Sequence, residues 1–77
     1  MMTLPLNQWK PFAGYMSVID LDSEALAAIR MNDHWNIVRK TADNQFAVMT
    51  IRGAMAKVVK VLPTLDRARS YNFAISK

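Results

Sequence analysis

Residues 35–52, WNIVRKTADNQFAVMTIR, decide the fold. Two runs rich in β-branched and aromatic residues, Trp35 to Thr41 and Gln45 to Arg52, flank Ala42, Asp43 and Asn44. Such a polar break between strand-like runs predicts an antiparallel hairpin. On the first strand Trp35 and Ile37 point one way, and Asn36 and Lys40 the other. On the second, Phe46 and Val48 oppose Ala47, Met49 and Ile51, so each face calls for some apolar cover.

Downstream, Gly53 offers a second turn. Residues 54–62 can be read two ways. Met55, Val58, Val59 and Leu62 have helical spacing, whereas Val58, Val59 and Val61 are β-branched and follow a strand directly. The second reading is favoured, as a third strand that Pro63 ends. Thr64 is a good N-cap with Asp66 in the first turn. Leu65, Ala68, Tyr71 and Ile75 form a stripe, which predicts a helix from about 65 to 76.

Upstream, Asp22 or Ser23 can cap a helix whose apolar side is Ala25, Leu26, Ala28 and Ile29, ending at Asn32 and Asp33. Tyr15 to Asp20 alternates as a short strand. Residues 1–14, punctuated by Pro5, Pro11 and Gly14, read as an irregular arm pinned by Trp9 and Phe12. The expected fold is therefore a small α+β domain spanning residues 1–77. Its order is an optional N-terminal strand, a helix, a three-stranded antiparallel meander and a C-terminal helix, with one sheet face covered.

Composition narrows the function classes. The chain has 77 residues, of which 52% are hydrophobic, so neither a disordered nor a collagen-like chain fits. With no cysteine, disulfide scaffolds, thiol catalysis and Cys-ligated zinc are excluded. The longest apolar run, Ala25 to Ile29, is far short of the roughly 18 residues of a membrane span. No secretory signal is legible at the N-terminus, and the expected compartment is the cytoplasm. Only Gly14 and Gly53 are glycines, so no phosphate-binding glycine loop can be written.

His34 is the single histidine, beside Asp33; the pair reads more readily as turn chemistry than as a catalytic base. No enzyme, metal or cofactor is expected. What remains is binding surface. Residues 1–38 carry a net −2 and residues 39–77 a net +6, an asymmetry that points to a polyanion or an acidic protein surface as partner.

The leading expectation is a nucleic-acid-binding sheet face using Arg39, Lys40, Arg52, Lys57 and Lys60, with Trp35 as a nearby stacking ring. The alternative is a protein-interaction factor, an inhibitor or adaptor, anchored by Trp9, Phe12, Tyr15 and Phe73. Tyr71 and Phe73 lie about 200° apart around a helix, so one ring must leave the core; a homodimer through Phe73 would cover it. The expected order of elements is similar to that of double-stranded RNA-binding domains. Their closing helix starts with paired lysines, and Pro63 to Arg69 here lacks them.

Overall fold

A computed structural model describes residues 4–15, 18–19 and 24–77. Its elements are β1 (Lys10–Pro11), a 3₁₀ turn (Phe12–Tyr15), β2 (Ala27–Arg30), β3 (Trp35–Lys40), β4 (Phe46–Arg52), β5 (Met55–Leu62) and α1 (Leu65–Ile75). The strands form one antiparallel sheet in the order β1-β5-β4-β3-β2. The architecture is α+β: five strands and one C-terminal helix.

The central hairpin forms where its residues predict it. Trp35 pairs with Ile51 and Lys40 with Phe46. The turn closes on Thr41, whose backbone N–H bonds the Gln45 carbonyl at 2.8 Å and whose hydroxyl accepts from the Gln45 N–H at 3.0 Å. Asn44 takes φ 64° and Gly53, in the next turn, φ 59°. These are residue types that enter the left-handed region at low cost. The β-branched character of residues 55–62 prevails over their helical spacing, because β4 offers a hydrogen-bonding edge directly after a tight turn.

Two of the expected elements are corrected. The helix expected between its cap at Asp22 or Ser23 and its end at Asn32 and Asp33 does not form among the described residues: Ala27–Arg30 is an edge strand, with Ala27 opposite Val38 and Arg30 opposite Trp35. Burial alternates along it, Ala27 and Ile29 half-buried, Ala28 and Arg30 exposed. An apolar run of five residues cannot repay helix nucleation alone, whereas β3 supplies a ready partner for every residue. Lys10–Pro11 adds a fifth strand, out of a stretch read as irregular. The meander is thus the middle of a wider sheet. The caps Asp22 and Ser23, and part of the strand read over 15–20, lie outside the described residues; within it, Tyr15 ends the 3₁₀ turn and Ile19 makes a single bridge to Thr41.

Both sheet faces are covered, not one. On the first, α1 packs Ala68 onto Val38 and Val48, flanked by Ala27, Phe46, Leu62, Leu65, Tyr71 and Ile75. On the second, the N-terminal segment lays Tyr15 and Ile19 over Ile37, Ala47, Met49, Ala56 and Val58, with Leu4, Phe12 and Val18 at the margin. Each large apolar side chain fully buried in these layers contributes roughly 1.5–3 kcal/mol. The Tyr15 hydroxyl, deep in the second layer, donates to the Gln8 carbonyl at 3.0 Å.

Thr64 caps α1 by accepting from the Arg67 N–H at 3.2 Å. A buried polar chain holds the other end down. Thr50 Oγ1 donates to Asn36 Oδ1 at 2.9 Å, Asn36 Nδ2 donates to Ser76 Oγ at 2.9 Å, and Ser76 Oγ donates to the Asn72 carbonyl at 2.6 Å. Among the described residues no helix is long and apolar enough to cross a membrane.

Candidate nucleic-acid interface

Strand register brings five separated parts of the chain into one row: Arg30, Trp35, Ile51, Ala56 and Lys10 lie side by side across the whole sheet. Beyond this row lie the turns at 31–34 and 53–54. Arg52 and Met55 pair at the mouth of the second turn, and Thr50 and Lys57 pair one step behind the row.

Trp9, one residue before β1, projects to the α1 side of this end. The residue is 39% exposed. The Arg52 guanidinium lies 5.2 Å from the ring centroid and the Lys57 ammonium 5.0 Å. Both are cation–π distances. Arg52 is also tied to the rim, its Nη2 lying 3.4 Å from Asp33 Oδ2. Asp33 Oδ1 accepts from His34 Nδ1 at 2.6 Å. That hydrogen bond, joined by the nearby Arg52 charge, holds the Asp33 carboxyl below the ordinary carboxylate range against an opposing desolvation. The acid therefore stays ionised, orienting Arg52 under the indole.

A bulge completes the patch. Met49 pairs with Val58 but Val48 pairs with Lys60, leaving Val59 as an extra residue in β5. Lys57 and Lys60 are three apart, and in a regular strand they would point to opposite faces. With Val59 inserted, their partners Thr50 and Val48 both face α1, so the two lysines share that face.

The five basic residues expected to form one surface are thus divided. Arg52, Lys57 and Lys60 come together on the α1 side. Arg39 lies on the other face, half-buried, with its guanidinium 5.9 Å from the Phe12 ring centroid. Lys40 shares the α1 side but sits at the far end, in the row of Phe46 and Leu62. Trp35 is 43% exposed but belongs to the other face, where Arg30 lies 5.8 Å from its ring centroid. Trp9 replaces it as the ring beside the cations. No local signal shows this, because the neighbours of Trp9 are set by pairing between residues some 45 positions apart.

The expected aromatic anchors also divide. Tyr15 is core, 1% exposed, and Phe12 is half-buried against it, so neither presents a docking surface. Phe73, on the flank of α1, is 61% exposed, with the Lys77 ammonium 5.5 Å from its ring centroid. Among the described residues no group of three or more His, Asp or Glu side chains could hold a metal ion.

An exposed indole flanked by two cations, with a third on the same face, can do two things at once. The cations can neutralise successive phosphates and the ring can receive an unstacked base. No protein-family model matches this chain, no curated protein matches it, and no solved structure matches it.

Proposed function

We propose that this protein is a small non-enzymatic module that binds single-stranded nucleic acid across the α1 side of the β4–β5 hairpin. The observation that carries the reading is the placement of the Trp9 indole against Arg52 and Lys57, with Lys60 brought to the same face by the bulge. Single strands are favoured over duplex because a flat exposed ring gains its stacking energy, about 1–3 kcal/mol per base, only from a base already out of its helix. Lys57, Lys60 and Arg52 would each engage a phosphate, Arg52 by exchanging its exposed contact with Asp33.

Three phosphate contacts to a single strand correspond to a salt slope near −2 in log affinity against log salt. Tryptophan fluorescence, titrated with a mixed-sequence oligonucleotide between low and physiological salt, tests this. The expected result is quenching that weakens with about that slope and is weaker for duplex of equal length. Absence of binding at low salt, or quenching unchanged in Trp9→Ala, would overturn the reading.

A further inference from the structure

A second surface lies on the opposite flank of α1, away from Trp9. The groove between α1 and β2 is lined by Ala27, Ala28, Ile29, Arg69, Asn72 and Phe73. Its floor is the β2 edge of the sheet. The Met31 N–H bonds the His34 carbonyl at 2.8 Å, marking residues 31 and 34 as a hydrogen-bonded pair. Alternation then turns the N–H and C=O groups of Ala27 and Ile29 toward β3 and those of Ala28 and Arg30 outward. Among the described residues no strand takes up that edge.

Three further features bear on what fits there. Phe73, the most exposed large apolar side chain described, overhangs the groove. Asn72 is fully buried, yet its Oδ1 has no hydrogen-bond donor, although its Nδ2 is used on the Asn36 carbonyl. An orphaned buried acceptor costs free energy until a donor arrives. Finally, the charge is one-sided. Arg69 is in the lining and Lys77 lies over Phe73, Arg30 ends the strand with its side chain on the opposite face, and no described lining residue is a carboxylate. A second copy of the chain would bring the same cations together across the seam; an acidic partner would neutralise them.

We propose that the β2 edge and the Phe73 flank of α1 form a docking groove for an extended acidic peptide segment of another protein. The peptide adds as a sixth strand, exchanging main-chain hydrogen bonds with Ala28 and Arg30. Alternate side chains face α1, where an apolar residue packs on Phe73. Carboxylates on that same side meet Arg69 and Lys77, and one on the opposite side meets Arg30. This surface is distinct from the Trp9 patch and does not depend on it.

The test uses the full chain and a fluorescein-labelled decapeptide in which valine pairs alternate with glutamate pairs, so that each side of the strand carries both, with lysine pairs in place of the glutamates as control, read by anisotropy. The glutamate peptide should bind and the lysine peptide should not. Ala28→Pro deletes one outward N–H and leaves β2–β3 pairing intact, since proline is tolerated on an edge. It should weaken binding at least tenfold, as should Phe73→Ala and Arg69→Glu. Lys57→Ala should leave it within twofold. Should Ala28→Pro fail to give the parent circular dichroism spectrum, the other two variants decide. The proposal falls if the glutamate peptide does not bind, if Phe73→Ala and Arg69→Glu bind it normally, or if Lys57→Ala weakens it as much as they do. It falls equally if light scattering shows a dimer that Phe73→Ala dissolves, because the occupant is then a second copy.

Discussion

Asn72 of α1 donates from Nδ2 to the backbone carbonyl oxygen of Asn36 in β3 at 3.2 Å, fastening the last turns of the helix to the middle of the sheet. The side chain of Asn36 continues the connection, its Oδ1 accepting from the Thr50 hydroxyl and its Nδ2 donating to Ser76 Oγ. All of Asn36, Thr50 and Asn72 are buried, so each bond forms where its loss cannot be made good by water. Asn36→Ala should therefore cost about 1–3 kcal/mol, since it orphans the Thr50 hydroxyl and frees Ser76. Thr50→Val should cost about 1 kcal/mol. Urea unfolding of both single variants and the double variant measures their coupling. Additive losses would show that the residues act independently.

The lysine pair separates a surface role from a structural one. Lys57→Ala and Lys60→Ala should each lower oligonucleotide affinity and reduce the salt slope by about 0.7, the share of one phosphate on a single strand. Stability should stay within about 0.5 kcal/mol of the parent. Deleting Val59 would remove the bulge and leave Lys60 opposite Val48 on the α1 side, so affinity should stay near that of the parent. Unchanged affinity in Lys60→Ala, with the fold intact, would remove Lys60 from the site.

The two exposed tryptophans should behave differently, although both sit at the same end of the sheet with a cation nearby. Trp9→Ala should remove about 1–3 kcal/mol of binding to a single strand. Trp35→Ala, on the far face, should change it by less than about 0.5 kcal/mol. Isothermal titration of both variants with one oligonucleotide decides. Equal losses would move the binding path across the sheet edge.

Tyr15 makes the fold sensitive to alkali. Burial pushes its phenol above the ordinary value of 10.0, outweighing a backbone hydrogen bond at Val58 that acts the other way. The folded state keeps this proton longer than the unfolded chain does. Its contribution to stability is complete below about pH 10 and falls as the pH rises beyond it. Stability measured from pH 8 to 11.5 should decline at the upper end, and Tyr15→Phe should flatten that decline. Absorbance at 295 nm should show a phenol in the folded protein that ionises above the ordinary range.

The strands of the central hairpin and the closing helix are legible in the residues themselves, since each is long enough to express a period and carries its own punctuation. Trp35–Lys40 and Phe46–Arg52 frame a polar turn, and Thr64 and Asp66 open Leu65–Ile75. Gly53 and Pro63 bound β5 in the same way. These are local properties of backbone and side chain, and neighbours in sequence are enough to set them.

Tertiary structure alone decided the rest. Ala27–Arg30 has too few residues to choose between helix and strand, and the choice falls to the open edge of β3. Lys10–Pro11 becomes a strand only because β5 lies beside it. The bulge at Val59 moves Lys60 across the sheet without any change in composition, and the register of β1 against β5 carries Trp9 to Lys57 and Arg52. Charge and aromatic content were visible in the chain from the start. Which charges share a face with which ring is a matter of strand register, and one bulged residue changes the answer.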